Sequence, residues 1–589
     1  MNTNGLRSQN WFAGLGRDVF VQRAYLRAEG FGPQVFDGRP IIGICNSWSE
    51  LTNCNVHLRL VAEAVKRGVW QAGGVPLEFP TISLGEPFIK PTTMLYRNLM
   101  AMDVEEMIRA NPLDGVVLLG GCDKTTIAQL LGAASADLPA IFVTGGPMLK
   151  AHWRGQALGS GTDAFRMWDQ VRAGTLSEEE FVEVEGAFAR SPGHCMVMGT
   201  ASTLACLAEA LGMTLPGAAC IPAPDSRRLA LAEASGRQIV ATVAAGLRPS
   251  QIITQQALEN AIRVDMAIGG STNAVVHLLA LAGRLKLSIG LEVFDKLSRT
   301  TPCLVNVKPS GNRLMEDLFY AGGIPAVMKE LEPLLHLDCL TVNGRTLGEN
   351  LHAAPAPDGE VIRPRTAPLH PEGGTVVLHG NLAPQGAILK QTAASPHLLT
   401  HRGPALVFRD RVDLFERIDD PALPVTPDSV LVLQHAGPVG GPGMPEWGNV
   451  PVPKKLLEAG CQDVVRISDG RMSGTAYGTI VLHVAPEAAV GGPLAFVRDG
   501  DLMTLNVPER RLTLEVTEAE LESRRMGWQP PARHYTRGYG RLFLEHVLQA
   551  DRGCDFDFLV AGPNPDRDLA MFYAGLGRRT IKQTETNPV

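Results

Sequence analysis

Short apolar runs, each followed by a glycine-rich or polar turn and then by a helical pattern, recur in the first half of the chain. The clearest runs lie at 40–48, 115–126 and 139–148. This alternation is typical of parallel strands that lead into helices and keep their ligand-binding loops at the carboxyl ends of the strands. The periodicity predicts helices at 57–72, 96–110, 126–134, 177–189, 200–211, 226–245 and 273–284. Ser177 and Glu180 fit a capping box at the start of one of them.

The second half of the chain has a different pattern. The segment 352–374 contains five prolines and no helical period, which indicates a loop between domains. Beyond it, short β-type runs at 374–380, 404–410, 429–435, 463–469, 479–485, 494–501, 502–508 and 511–516 predict a barrel-like β domain with a few helices. We therefore expect an α/β domain with a mainly parallel sheet at 1–365 and a β-barrel-like domain at 366–589.

Composition and charge exclude several classes of protein. A net charge of −7 over 589 residues, with 45% hydrophobic and 20% charged residues, indicates globular domains and argues against nucleic acid as a partner. The long uncharged stretches at 191–208 and 266–283 are broken by Gly, Ser, Thr, Asn and His, so we expect no membrane helix. The first and last residues carry no leader or anchor pattern, which favours a cytoplasmic protein. In that compartment, the ten cysteines are expected to be reduced thiols or metal ligands rather than disulfides.

Three cysteines lie at expected loop positions. Cys54 follows the first apolar run, Cys122 ends the second in the sequence GGCDKTT, and Cys195 lies in a glycine-flanked turn before a predicted helix. A thiolate beside the carboxylate of Asp123 suggests two metals of different softness. The GGCDKTT sequence is not a phosphate-binding loop, because Asp123 stands where glycine is required before Lys124. Buried, inert thiols remain the alternative for each cysteine.

Oxygen ligands and a candidate nucleophile complete the set of polar candidates. Glu86 and Glu446 lie in turn-rich surroundings and, with Asp123, offer carboxylates suited to Mg²⁺; solvated loop acids are the alternative. Ser473 lies in the sequence SDGRMSGTAY after a strand-like run, where it could instead belong to a plain turn. It lacks the spacing of a hydrolase nucleophile elbow.

These motifs, in this order, resemble the dihydroxy-acid and sugar-acid dehydratases over nearly the whole chain. The resemblance implies a site between the two domains and a [2Fe-2S] cluster on Cys54, Cys122 and Cys195, with one iron open. It also implies Mg²⁺ held by the side chains of Glu86, Asp123, Lys124 and Glu446. Because an ammonium group cannot coordinate a cation, Lys124 is expected to be carbamylated.

The implied reaction is the dehydration of a 2,3-dihydroxy acid to a 2-keto-3-deoxy acid, with Ser473 as the base in its alkoxide form. The sequence following Ser473 includes Thr475, whose hydroxyl is expected to bind a sugar hydroxyl. We therefore expect an aldonate substrate, with L-arabinonate first. Met196 and Val197 could form an apolar wall that broadens the substrate range. The family also implies a homodimer or homotetramer.

Three alternatives remain at this point. The first is a branched-chain 2,3-dihydroxy-acid dehydratase, and the second is a promiscuous enzyme that also acts on D-xylonate, D-gluconate or D-glycerate. The third is a binding or redox protein that uses the cluster for electron transfer or sensing. Electron carriers commonly hold the cluster with four cysteines, so three motif cysteines together with Ser473 favour the enzyme.

Overall fold

A four-stranded parallel sheet forms the centre of the amino-terminal part in the computed structural model, which describes residues 5–560. Its strands are β1 (Ile41–Asn46), β2 (Val75–Pro80), β3 (Gly115–Gly120) and β4 (Ala140–Thr144), in the order β2–β1–β3–β4. Every residue of β1, β3 and β4 is buried, as expected for a parallel sheet covered on both faces. The sheet therefore brings the loops after β1, β3 and β4 to one edge.

Helices surround this sheet and extend the amino-terminal part. They are α1 (Gln9–Phe12), α2 (Arg17–Ala28), α3 (Leu58–Gln71), α4 (Met94–Ala110), α5 (Asp123–Ala136), α6 (Thr162–Arg172), α7 (Glu178–Phe188), α8 (Thr200–Ala210), α9 (Ser226–Ala245), α10 (Pro249–Ile252), α11 (Gln255–Ala267), α12 (Asn273–Arg284), α13 (Leu291–Thr300), α14 (Met315–Tyr320), α15 (Gly323–Leu331) and α16 (Leu347–Leu351). All seven helices expected from the periodicity are present, with ends shifted by at most three residues. The predicted capping box is confirmed, because the Glu180 backbone N–H donates to Ser177 Oγ at 3.2 Å.

An excursion between β4 and α8 covers one side of the sheet edge. It contains the short hairpin β5 (Ala151–Trp153) and β6 (Gln156–Leu158), followed by α6 and α7. Its core includes the fully buried side chains of Met196 and Val197. These two residues therefore pack inside the excursion rather than forming an open wall.

The carboxyl-terminal part is a nearly closed eight-stranded sheet. Its strands are β7 (Thr375–Leu378), β8 (Gly386–Lys390), β9 (Thr400–Phe408), β10 (Val430–Leu433), β11 (Arg466–Ser468), β12 (Ile480–Ala485), β13 (Leu502–Asn506) and β14 (Arg511–Leu514), in the order β14–β13–β9–β10–β11–β12–β8–β7. The ends meet at His379, whose backbone N–H donates to Arg510 and whose carbonyl accepts from Leu512, both at 2.9 Å. This single bridge brings the two end strands together and nearly closes the barrel.

The helices of this part are α17 (Arg411–Arg417), α18 (Lys454–Glu458), α19 (Glu518–Met526) and α20 (Gly538–His546). The expected α/β fold with a barrel-like second half is confirmed. One predicted strand is wrong: the run at 494–501 begins with a 3₁₀ helix (Pro493–Phe496). Pro493 fixes φ at the first helical position and has no N–H to offer a neighbouring strand. The strands β2 and β8 were not expected.

The loop at 352–374 contains no helix or strand between α16 and β7, as its prolines indicate. Isolated bridges from Cys303 to His370 and from Val305 to Ile362 attach it to the amino-terminal part. None of the described helices combines the length and apolar character needed to cross a membrane. Residues 1–4 and 561–589, which include the terminal sequences on which the expected absence of a leader or anchor depends, lie outside the described residues.

Candidate active site

The three motif cysteines gather at the edge of the parallel sheet. Cys54 lies in the loop after β1, Cys122 caps the start of α5 after β3, and Cys195 lies in the loop before α8. The neighbouring thiol of Cys54, together with burial, raises the pKa of Cys122 well above its usual value. Burial raises the pKa of Cys195 to about 12, and the nearby Cys54 and Asp123 add to the shift. All ten cysteines are free, as expected.

Carboxylates surround a buried lysine beside these thiols. Lys124 Nζ lies 2.7 Å from Asp123 Oδ2 and 3.9 Å from Glu86 Oε2, and the lysine side chain has no exposed surface. Burial alone would raise the pKa of Asp123, but the ammonium group of Lys124 outweighs it and the pKa is lowered. Glu86 is held by the hydroxyls of Thr92 and Thr93. The expected set of oxygen donors is therefore assembled on the amino-terminal side.

Glu446 approaches the same group from the carboxyl-terminal part. It begins a 3₁₀ helix (Glu446–Gly448), and its carboxylate accepts hydrogen bonds from Arg471 at 3.3 Å and Asn273 at 3.2 Å. Burial, followed by repulsion from Glu86, raises the pKa of Glu446 to about 7. Three carboxylates that share one buried site repel one another, and a cation would relieve this repulsion.

Ser473 lies in the turn that follows β11 and faces the amino-terminal domain. Its hydroxyl oxygen is 2.9 Å from Thr475 Oγ1 and accepts the backbone N–H of Thr475 at 3.3 Å. Gly474 lies between Ser271 and Thr200. A Cβ added at position 474 would be 2.6 Å from Ser271 Oγ and 2.6 Å from the backbone nitrogen of Thr200. Any larger residue at 474 would push the serine out of the domain junction.

Thr475 connects this turn to the excursion and to Cys195. Its carbonyl accepts a hydrogen bond from Thr162 Oγ1 at 2.7 Å, and a Cβ on Gly161 would overlap its side chain. Gly199 lies between Cys195 and Thr475. A Cβ added at position 199 would be 3.8 Å from the Cβ of Cys195 and 2.9 Å from Cγ2 of Thr475. Thr475 is only 4% exposed and its hydroxyl contacts Ser473.

Several helices begin at this junction. Helices α5, α6, α8 and α12 start at residues 123, 162, 200 and 273, each beside one of the side chains described above. The first turn of a helix carries a partial positive charge, which stabilises anions near it. These helix starts partly offset the burial that raises the pKa of Cys122, Cys195 and Glu446.

Asn273 and Arg471 are functional candidates to which the sequence analysis assigned no role. Besides its bond to Glu446, Asn273 Nδ2 donates to Thr200 Oγ1 at 2.8 Å and to the carbonyl of Met472 at 3.1 Å. The polar run Gly-Gly-Ser-Thr-Asn before a predicted helix was the available signal. The contacts of Asn273 with three separate segments could not be predicted from this polar run.

The donor set fits the metal groups that the resemblance implies, although the side chains are not closed into a ligand shell. Within residues 5–560, no three His, Cys, Asp or Glu side chains are drawn together tightly enough to hold a metal ion as they stand. On the oxygen side, the ammonium group of Lys124 pairs with Asp123 at 2.7 Å. Soft thiols and hard carboxylates nevertheless lie in two adjacent groups, as iron and magnesium require.

The fold and the site define a two-domain dehydratase. The chain matches the amino-terminal domain model of the dihydroxy-acid/6-phosphogluconate dehydratases over residues 39–350 and the carboxyl-terminal domain model over residues 360–554. It therefore belongs to this family, whose members are hydro-lyases.

Similar proteins with named activities include both sugar-acid and dihydroxy-acid dehydratases. An L-arabinonate dehydratase of Rhizobium leguminosarum bv. trifolii is 53% identical, covering 94% of this chain and 96% of the relative. A 6-deoxy-6-sulfo-D-gluconate dehydratase of Pseudomonas putida is 50% identical, covering 95% and 97%. A dihydroxy-acid dehydratase of Ignicoccus hospitalis is 42% identical, covering 91% and 98%.

Proposed function

We propose that this protein dehydrates a sugar acid, with L-arabinonate as its leading substrate, to the corresponding 2-keto-3-deoxy acid. The observation that carries the proposal is the position of Ser473, hydrogen-bonded to Thr475 and placed at the junction where the carboxylates and thiols gather. The names of relatives at 50% and 53% identity support a sugar acid as substrate, whereas a relative named dihydroxy-acid dehydratase is 42% identical.

In this proposal, the two groups of side chains hold two cofactors. Cys54, Cys122 and Cys195 hold a [2Fe-2S] cluster, while Glu86, Asp123, Glu446 and Lys124 hold Mg²⁺. When bound, these groups supply Lewis acidity toward the substrate carboxylate, the 2-hydroxyl and the departing 3-hydroxyl.

Lys124 has to change chemically to take part. Its ammonium group already pairs with Asp123 at 2.7 Å and has no lone pair to donate. Loss of a proton and addition of carbon dioxide to Nζ would give a carbamate and release a second proton. The buried ammonium group of Lys124 would then become a fourth anionic ligand with oxygen donors, which are the ligands that Mg²⁺ prefers.

The protein's own groups then perform the proton transfer. Ser473, in its alkoxide form, removes the C2 proton and forms an O–H bond. The C2–H electron pair becomes the C2–C3 double bond as the C3–O bond breaks. The leaving hydroxide takes the proton that Ser473 has gained and departs as water, which restores the alkoxide. The enol that remains tautomerises to the 2-keto acid. The backbone N–H and hydroxyl of Thr475 stabilise the alkoxide by hydrogen bonding.

A substrate panel tests this function. Anaerobically reconstituted protein is assayed for 2-keto acid formation from L-arabinonate, D-xylonate, D-gluconate, D-glycerate and 2,3-dihydroxyisovalerate, without any redox partner. We expect the aldonates to lead in kcat/KM, and Ser473→Ala to lower kcat about 10²-fold to 10⁴-fold. A lead for the isovalerate would overturn the sugar-acid assignment, and absence of keto acid from every substrate would favour an electron-transfer or sensing protein.

We also propose a cytoplasmic homodimer or homotetramer that has neither nucleic acid nor membrane as a partner. Leu51 and Phe88, close in sequence to Cys54 and Glu86, are 76% and 72% exposed, which is surface that a second subunit would cover. Light scattering on the purified protein measures the oligomer size, and a monomer at micromolar concentration would contradict it.

A further inference from the structure

Arg471 lies at the junction of the two domains, and its guanidinium group contacts both of them. The side chain has no exposed surface. Its Nη1 donates to Glu446 Oε1 at 3.3 Å, in the carboxyl-terminal part. Its Nη2 donates to Thr92 Oγ1 at 3.1 Å, in the segment that leads into α4 of the amino-terminal part. One rigid group therefore spans the boundary between the domains.

Thr92 extends this contact to a second carboxylate. Its hydroxyl oxygen accepts from Arg471 and from the backbone N–H of Met94, the latter at 3.2 Å. Because both of these groups can only donate, the hydroxyl proton of Thr92 is directed to Glu86 Oε1, 2.9 Å away. Thr92 has no exposed surface, which places these bonds away from bulk water. Arg471 is thereby connected to Glu446 directly and to Glu86 through one hydroxyl.

The donors around Glu446 hold one of its oxygens and leave the other available. Arg471 Nη1 and Asn273 Nδ2 both donate to Oε1, at 3.3 Å and 3.2 Å. Within residues 5–560, no hydrogen bond reaches Oε2. Carboxylates that bind a metal are commonly fixed by hydrogen bonds in this way, so the contacts orient Glu446 for a cation.

The loop that carries Glu446 is also wrapped around Arg471. Nε of the arginine donates to the carbonyl of Met444 at 2.7 Å, and its backbone carbonyl accepts the N–H of Gly448 at 2.8 Å. Met444 has a φ of 51°, in the left-handed region that residues other than glycine rarely adopt. Such a conformation persists only where the surroundings hold it, and the bond from Arg471 does so here. Loss of the guanidinium group would therefore release the loop.

These contacts indicate a geometric task for Arg471. All three nitrogens of the guanidinium group already have a protein partner, so the group is not placed to receive a substrate. A lysine would supply the same charge, but only arginine offers a planar fork that holds two partners at a fixed separation. Mg²⁺ accepts little deviation from octahedral geometry at about 2.1 Å, so ligands that come from two domains need such a spacer.

We propose that Arg471 is a positioning residue that holds Glu86 and Glu446 in place for one shared cation. Its role toward the cation rests on the proposed Mg²⁺ site, whereas the bridge between the carboxylates does not. Arg471 also lies two positions before Ser473. The same bridge therefore sets the place of the proposed base relative to the carboxylates.

Calorimetric titration of the full-length protein with Mg²⁺, in bicarbonate buffer and without substrate, tests this role. Arg471→Lys keeps the charge but lacks the fork, so the Mg²⁺ affinity should fall about 10-fold to 100-fold, the usual scale for groups that orient metal ligands. Arg510→Lys is the matched control. Arg510 is also buried, and its guanidinium group contacts Asp295 of the amino-terminal part at 3.0 Å and Glu372, both outside the site. This variant should lose thermal stability but keep the wild-type affinity for Mg²⁺.

A double-mutant cycle separates the bridge from a general loss of order. Thr92→Val removes the hydroxyl between Arg471 and Glu86. Thr93→Val removes a hydroxyl that contacts the other oxygen of Glu86. If Arg471 acts through Thr92, adding Thr92→Val to Arg471→Lys should weaken Mg²⁺ binding little further, whereas adding Thr93→Val should multiply the two losses. Multiplied losses in both cycles would overturn the bridge.

A second pair of variants keeps the test decisive if Arg471→Lys does not fold. Thr92→Val should then lose Mg²⁺ affinity by itself, and Thr92→Ser, which restores the hydroxyl, should regain most of it. Equal affinity in these two variants would overturn the bridge.

The remaining outcomes distinguish this inference from the proposed function. Wild-type affinity in folded Arg471→Lys would overturn the positioning role and leave the Mg²⁺ site in place. A wild type that binds no Mg²⁺ would overturn the proposed metal site and this role together. Crystal structures of the metal-free proteins add a readout that needs no metal, since the loop of Glu446 should move relative to Glu86 in Arg471→Lys but not in Arg510→Lys. An unmoved loop in Arg471→Lys would overturn the bridge.

Discussion

The hydroxyl oxygens of Ser473 and Thr475 lie 2.9 Å apart, in a turn of the carboxyl-terminal domain that is pressed against the amino-terminal domain. Thr475 is held in turn by Thr162 and by the glycines at 161 and 199. This chain of contacts fixes the serine oxygen without using a histidine or a carboxylate as its direct partner. The sequence predicts that Thr475 contacts the substrate, and this stays a prediction; in the structure its hydroxyl contacts the proposed base.

Removing the Thr475 hydroxyl should slow the reaction while leaving the fold intact. Thr475→Val keeps the shape of the side chain but removes a hydrogen bond to the alkoxide, so kcat should fall about 10-fold to 10²-fold, with a smaller change in KM. Thr475→Ser keeps the hydroxyl and serves as the control, with activity near that of the wild type. Steady-state kinetics on the leading substrate measures both, and equal kcat for the two variants would contradict this role.

Replacing any of Cys54, Cys122 or Cys195 with serine should lower the iron content and the visible absorbance of the reconstituted protein. Serine removes the soft thiolate that iron prefers. Cys461→Ser is the control, because Cys461 lies in the carboxyl-terminal part, where its thiol donates to the carbonyl of Asp463. Iron and sulfide analysis decides the ligand set, and an unchanged cluster in one of the three variants would remove that cysteine from it.

Removal of divalent cations should abolish dehydration reversibly. Chelation removes the cation that the proposal assigns to the carboxylates of Glu86, Asp123 and Glu446, and added Mg²⁺ should restore the activity. Asp123→Asn should raise the Mg²⁺ concentration needed for half-maximal activity, whereas the exposed Glu185→Gln should not. Full activity of the chelated wild type, with its cluster intact, would show that the carboxylates serve another purpose.

Buried Glu209 should make the protein less stable as the pH rises toward neutrality. Burial raises the pKa of Glu209 to about 7, although its carboxylate accepts the backbone N–H groups of Gly217 and Ala219. The folded chain therefore holds a proton that the unfolded chain releases near pH 4.5. This contribution to stability is present at low pH and is lost as the pH rises from about 4.5 to about 7.

Glu209→Gln should remove that part of the pH dependence. As the pH rises from 5 to 7, the Tm of Glu209→Gln should increase relative to the Tm of the wild type. The exposed Glu185→Gln should have the same dependence of Tm on pH as the wild type. Thermal unfolding at constant ionic strength measures the three profiles. A constant difference between wild type and Glu209→Gln would show that this carboxyl does not titrate in the range.

Local pattern determined much of the framework. The run at 115–120 is apolar throughout because it lies in the middle of a covered sheet, and the helix over residues 226–245 has the predicted bounds because an Asp begins it and a glycine ends it. The strand predicted for the run at 494–501 was wrong, because its first residues form a 3₁₀ helix in which Pro493 fixes the backbone angle φ at the first position. Short apolar runs do not distinguish between these outcomes.

The sequence by itself determined which residues are candidates for the chemistry, since the motifs around Cys54, Cys122, Cys195 and Ser473 are each local. Only the tertiary structure decided their partners. The bond between Asn273 and Glu446 joins residues 173 positions apart. Sequence spacing fixes the face or turn on which a side chain lies, but not which distant segment reaches it. Contacts between domains form only when both cores are packed, because the position of each side chain then depends on the whole fold.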